Sequence, residues 1–300
     1  MPHPKPAVFR FAPSPNGELH LGHALSAMIG HDWAKRLGGR FLVRIEDIDV
    51  DRSRDEHLRS ILDDLAWLGL SWEKPELHQS QHFGVYRDAA AKLTDLGVLY
   101  PCFATRGQIA ASVGAAVAAG GREERDPDGA PIYPGLHRGL DKAEITARQA
   151  GGERAALRLD MVKALGIAKA RLAGRPLTFR EIASDDSERI VCADPARWGD
   201  AVLMRKDTPA SYHLSVVVDD ARQGITHVTR GADLYAATDL HRLLQVLLDV
   251  PEPLYHHHRL LRGADGRKLA KSTGAPRLKD LRAQGVTADD IRRQLGLRPR

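Results

Sequence analysis

The chain is predicted to fold as an α/β protein, a parallel sheet with helices on its faces, interrupted by a smaller α+β insertion. Two observations carry this. Apolar strand-like runs and helical periodicities alternate through the first hundred residues, and the same alternation returns after about residue 193. A βαβα order needs crossover connections, and these build parallel sheets covered by helices.

Val8 to Phe11 is the first short strand. Leu21, Leu25, Met28, Ile29 and Trp33 then recur at helical spacing, so a helix begins near Leu21. Between them lies APSPNGELHLGH (Ala12–His23), a strand-to-helix loop with two prolines, two glycines and two histidines. Such loops sit at the carboxyl end of a parallel sheet, where ligands bind and a helix N-terminus offers N–H groups to anions. RFLVRIED (Arg40–Asp47) reads as the second strand. Asp55 to Leu68 reads as a helix with Leu58, Ile61, Leu62, Leu65 and Leu68 on one side, and Phe83 to Leu96 as another. From Pro101 to about Cys192 the texture changes to an alanine-rich helix, a Gly/Asp/Pro loop and short runs such as AALRLD and LTFREI. The α/β pattern resumes with AVLMRK, SYHLSVVVDD, ITHVTRG and a helix from Asp239 to about Leu248; a basic loop and a short helix close the chain. The expected division is 1–100 and 193–274 for the two halves of the main domain, 101–192 for the insertion, and 275–300 for a short helical terminus.

Composition narrows the class. A hydrophobic fraction of 43% excludes a disordered chain. A net charge of +5 and a pI near 9.3 favour an anionic partner. Cys102 and Cys192 are the only cysteines, so no disulfide framework exists. MPHPKPAVFR lacks the apolar stretch of a signal peptide, and ASVGAAVAAGG is too short to span a bilayer. A cytoplasmic monomer with no membrane partner is expected.

Two segments suggest chemistry. His20 and His23, three apart at a helix start, face the same side and can donate to a phosphate. Gly22 removes a side chain between them, Pro13 and Pro15 stiffen the loop, and Gly17 permits a tight turn. Alone, the pair also fits incidental surface histidines. The second segment, GRKLAKST (Gly266–Thr273), carries Lys268 and Lys271 three apart and Ser272, which suit a polyphosphate clamp. A solvated charge run is the ordinary reading of such a segment by itself.

Together these stretches resemble a known family. PSPNGELHLGH is similar to the HIGH signature and KLAKS to the KMSKS signature of class I aminoacyl-tRNA synthetases. RFAPSPNG, RIEDIDVDRS, SYHLSVVVDD and ITHVTRGADL resemble the glutamyl branch. The resemblance covers nearly the whole chain and implies a Rossmann-type class I catalytic sheet. It implies ATP bound by His20, Gly22, His23, Lys268, Lys271 and Ser272, with Mg²⁺ on the phosphates and His20, His23 and Lys271 stabilising the reacting phosphate. It places Arg10, Ser14, Glu46, Tyr212 and Arg230 around L-glutamate. Charge agrees: arginines suit the substrate's carboxylates and Glu46 its ammonium. Without the resemblance, Arg10 and Glu46 would read as an ordinary ion pair and Tyr212 as a core aromatic.

Only Thr273 to Arg300 follow the KLAKS loop, too few for an independent anticodon-reading domain. That shortened form resembles the glutamyl-Q tRNA(Asp) synthetases, which attach glutamate to queuosine in the anticodon stem-loop of tRNA(Asp). An ordinary glutamyl or glutaminyl core charging a tRNA 3′ end, or a silent RNA-binding paralogue, stand as alternatives. The chain departs from the family at Asn16, Ile48 and Ala270, none of which removes a charge. It also departs at the family's zinc site, Cys-x-Cys then Tyr-x3-Cys. Cys102, Tyr133 and His137 remain as ligands, whereas Ala104 supplies nothing, so no metal is expected there.

Overall fold

The computed structural model describes residues 6–262 and 276–299. The first half builds β1 (Val8–Phe11), α1 (Leu21–Arg36), β2 (Arg40–Ile45), α2 (Asp55–Trp67), β3 (Glu73–His78) and α3 (Phe83–Asp95). Phe9, Phe11, Val43 and Ile45 of the first two strands pack against Leu21, Leu25 and Met28 of α1 and Ile61 and Leu65 of α2. The helical spacings seen in the sequence are therefore the faces that bury.

The middle of the chain forms β4 (Leu99–Cys102), α4 (Arg106–Ala118), α5 (Lys142–Ala150), β5 (Ala156–Leu159), α6 (Met161–Arg171), β6 (Thr178–Ile182) and β7 (Glu188–Cys192). The rest supplies β8 (Val202–Met204), α7 (Tyr212–Arg222), β9 (His227–Gly231), α8 (Ala237–Leu248), β10 (Leu254–His258), α9 (Leu278–Ala283) and α10 (Ala288–Gln294). The seven-stranded sheet has the order β3-β2-β1-β9-β10-β6-β7. Its strands are parallel except for β7, which runs antiparallel to β6. A second, antiparallel sheet has the order β4-β5-β8.

The fold class predicted from sequence holds, and burial is uneven along the middle of the chain. α4 and α5 bury none of their residues. By contrast, Met161, Ala164 and Ala168 of α6 share a core with Leu240, Leu243 and Leu247 of α8, and β6 and β7 extend the large sheet. Within the span 101–192 expected as the insertion, α6, β6 and β7 thus share the core and sheet of the flanking halves, whereas β5 lies in the small antiparallel sheet. AVLMRK, expected to continue the parallel sheet, lies instead in the small antiparallel one as β8. Strands β3 and β10 carry too many polar residues to be predicted from alternation.

β1 lies between β2 and β9, so the chain winds to one side of it and returns on the other. The crevice at the carboxyl ends of β1 and β9 is the topological switch point, where open α/β sheets bind ligands. Among the described residues no helix is long and apolar enough to cross a membrane.

Candidate active site

A cavity of about 580 Å³ opens at that switch point. Arg10, Ser14, His20, Gly22, His23, Glu46, Tyr212 and Arg230, widely separated in sequence, all line it. Arg10 sits in β1, Arg230 in β9, Glu46 just beyond β2, Tyr212 at the first turn of α7, and both histidines at the start of α1. Lys268, Lys271 and Ser272 lie outside the described residues. The flanks of their segment are at the cavity: Leu261 lines it, and Arg277 forms a β-bridge with His20. Lys279 also reaches back to Glu18 of the first loop, Nζ to Oε1 at 2.6 Å.

The two histidines hold each other. His20 is the N-cap of α1, and its Nδ1 accepts from the Gly22 amide at 3.0 Å. His23 Nδ1 accepts from the His20 amide at 3.1 Å, closing a reciprocal capping box. Both Nδ1 atoms are acceptors, so each neutral ring carries its proton on Nε2, on the side away from the backbone. A Cβ on residue 22 would stand 2.9 Å from His20 Cε1, so glycine here makes room for the histidine cap itself.

Arg10 does not pair with Glu46. Its Nε donates to Asp220 Oδ1 at 3.0 Å, and the fully buried Arg44 donates to the same carboxylate. These cations hold the Asp220 carboxyl below its usual range against the upward push of burial. Among the described residues no hydrogen bond or ion pair engages the Glu46 side chain. Burial raises its carboxyl to about 7, with Arg44 and Arg10 opposing part of the rise. Tyr212, also pushed up by burial, stays a neutral hydroxyl.

Arg230 is held by different partners. Its guanidinium donates from Nε to His257 Nε2 at 3.3 Å, from Nη1 to His241 Nδ1 at 3.2 Å, and from Nη2 to Thr238 Oγ1 at 2.6 Å. Asp220, Arg44, His241 and His257 were not singled out from the sequence. The paired aspartates closing SVVVDD and the polar strand LYHHH were the only local signals.

The residues left from the family's zinc motif do converge. The Tyr133 hydroxyl accepts from the Cys102 thiol at 3.3 Å and from the His137 amide at 2.9 Å. His137 Nδ1 accepts from the amides of Phe103 and Ala104 at 3.0 and 3.1 Å. With alanine at one of four positions and that nitrogen turned to backbone, the set does not fit tetrahedral zinc. Hydrogen bonds and the packing of Cys102, Ala104 and Tyr133 hold this segment instead.

Residues 7–298 match the family of tRNA synthetases class I (E and Q), catalytic domain. The chain is 45% identical over 292 residues to a glutamyl-Q tRNA(Asp) synthetase of Rhodobacter capsulatus, covering 97% of this chain and 100% of that protein. It is 40% identical to a glutamyl-Q tRNA(Asp) synthetase of Symbiobacterium thermophilum, over 94% of this chain and 83% of the other. A glutamate–tRNA ligase of Prochlorococcus marinus is 37% identical over 93% of this chain, but over only 56% of its own length. In fold, the crystal structure of a glutamate-tRNA synthetase from Elizabethkingia anophelis superposes with a TM-score of 0.71 at 24% identity, covering 90% of this chain and 53% of that one. A histidine-capped first helix at the switch point of a parallel sheet, matched along its length by these relatives, leaves one conclusion: the chain belongs to the class I glutamyl and glutaminyl tRNA synthetases, ligases that take ATP as substrate.

Proposed function

We propose that the chain activates L-glutamate with ATP and transfers it to queuosine in the anticodon stem-loop of tRNA(Asp). The observation that carries this reading is the convergence of two arginines, an unpaired carboxylate and the histidine-capped helix start on one cavity. Arg230 and Arg10 suit carboxylates, Glu46 the substrate ammonium, and Tyr212 and Ser14 add hydroxyl donors. ATP lies along the first loop, against Gly22 and the two histidines. An oxygen of the glutamate α-carboxylate attacks the α-phosphorus, the bond to the bridging oxygen breaks, and pyrophosphate leaves. The chain supplies no nucleophile. His20, His23 and Lys271, with Lys268 and Ser272 on the phosphates, stabilise charge that grows on the phosphate in the transition state. A queuosine ring hydroxyl then attacks the activated carbonyl and AMP leaves.

Mg²⁺ usually enters such sites on the nucleotide phosphates and keeps several waters. Among the described residues no group of three metal-ligating side chains is assembled, so no residue is assigned to it and no step runs through it. The net charge of +5 suits an RNA backbone, with salt-sensitive affinity.

The deciding experiment is charging with labelled glutamate. Queuosine-containing tRNA(Asp), or its anticodon stem-loop alone, should accept glutamate, and the same RNA with guanine should not. Glutamate-dependent pyrophosphate exchange should proceed without RNA. Charging of tRNA(Glu) at its 3′ end, with the queuosine stem-loop inert, would overturn the acceptor assignment.

A further inference from the structure

Arg230 is 4% exposed, yet no carboxylate among the described residues lies within ion-pair distance of it. A guanidinium is always charged and only donates. Its three partners here must therefore all be acceptors, and two of them are histidine nitrogens. That requirement fixes both rings. His257 accepts at Nε2, so its proton is on Nδ1, which faces Glu181 Oε1 at 2.8 Å. His241 accepts at Nδ1, so its proton is on Nε2, which faces His213 Nδ1 at 3.1 Å.

The elements explain why these groups meet. Arg230 and His257 are register partners on the adjacent strands β9 and β10. Thr238 and His241, three apart on α8, present one face to the guanidinium. Glu181 comes from β6 on the far side of β10, where Arg189 also holds it. His213 comes from α7. Burial and the Arg230 charge both favour the neutral rings: His257 and His213 are pushed down to about 4, and His241 well below its ordinary value.

We infer that His257 and His241 are positioning residues that hold Arg230 as a buried cation without a protein counter-ion, so that the side-chain carboxylate of the amino-acid substrate completes the pair. This inference rests on the glutamate reading above. Of the five guanidinium N–H groups, the three bonds leave one on each terminal nitrogen, the pair a carboxylate needs for a two-pronged contact. A carboxylate in place of either histidine would neutralise Arg230 within the protein and remove its preference for an acid over an amide. Glu181, one imidazole away, sets the His257 tautomer without touching the guanidinium.

Nitrogen-15 NMR of the histidine-labelled chain at pH 7 tests the arrangement directly. The expected result is a proton on Nδ1 of His257 and on Nε2 of His241; an Nε2 proton or a charged ring at His257 overturns the inference. In pyrophosphate exchange, His257→Phe removes the acceptor but keeps a ring among Phe179 and Tyr255, and Glu181 retains Arg189. The glutamate KM should rise at least about tenfold and glutamate-over-glutamine preference should fall, with the ATP KM unchanged. His257→Gln, which keeps an acceptor within reach, should recover most of the loss and serves if the Phe variant does not fold. A parent-like glutamate KM in folded His257→Phe, or an equal rise in both KM values, contradicts the inference. A parent chain that activates no glutamate refutes the substrate reading, while the tautomer measurement still decides on the network.

Discussion

On one side of the cavity stands Arg10, at the end of β1; on the other stands Arg230, at the end of β9, equally buried at 4% exposed. Arg10 is ion-paired to the Asp220 carboxylate, which it shares with Arg44, so it has an anionic partner within the protein. Arg230 is steadied by two imidazoles and a hydroxyl and has no ion pair among the described residues. The same residue type at matching strand ends thus serves two purposes. The first arginine belongs to a cluster that holds the fold together as well as lining the site. The second is oriented without an ion pair, which, under the glutamate reading proposed above, suits a group that tells an acid from an amide.

The largest effect should come from the ion-paired side. Asp220→Asn removes the carboxylate ion-paired to the buried Arg44, and breaking a buried pair in this way costs about 3–5 kcal/mol. The midpoint of thermal or urea unfolding should fall accordingly, whereas a fully stable variant would show that the Arg10–Arg44–Asp220 cluster is not structural.

Arg230→Ala should do the reverse, sparing stability relative to Asp220→Asn and damaging recognition. Loss of one such charged contact costs about 3 kcal/mol, or roughly a hundredfold in kcat/KM for glutamate. Activity toward glutamine should change much less, so the ratio between the two amino acids narrows. Equal losses for both substrates would erase the distinction between the arginines.

Glu46 adds a pH dependence at the boundary between the two sides. Its carboxyl is raised to about 7, chiefly by burial, so below that pH it is protonated and cannot hold the substrate ammonium. The kcat/KM for glutamate should be level above about pH 7 and fall by up to about tenfold per unit below it. Glu46→Gln should abolish this limb and give low values at every pH. An unchanged limb in that variant would assign the titration to another group.

The smallest effect is expected far from both arginines. Because His137 Nδ1 already accepts two backbone amides and Ala104 offers no ligand, chelator treatment should leave the unfolding midpoint unchanged and metal analysis should find no stoichiometric zinc. A chelator-induced drop in stability would show that Cys102, Tyr133 and His137 recruit a fourth ligand.

Several of these groups were legible in the chain and others were not. The first loop was, because its histidines, glycines and prolines are neighbours whose spacing acts locally: His20 and His23 cap the helix they begin. α1 and α2 were legible for the same reason, since helical periodicity shows a buried face without knowledge of what covers it. β3, with its sequence EKPELH, was not, because its strand pairing to β2 is imposed by the sheet and not by alternation. The Asp220 partnership was hidden by a sequence separation of 210 residues, and nothing near Arg10 announces it.

The sequence by itself determined the α/β class, the histidine-capped loop and the set of charged residues available to a site, because local periodicity and side-chain chemistry act over a few residues. Only the tertiary structure decided which charges are ion-paired and which are not. That outcome depends on strand order: placing β9 between β1 and β10 sets Arg230 beside His257, while Arg10 and Arg44 close on Asp220 from α7. A buried cation takes whichever acceptor the fold brings within reach, and the linear chain does not state that distance.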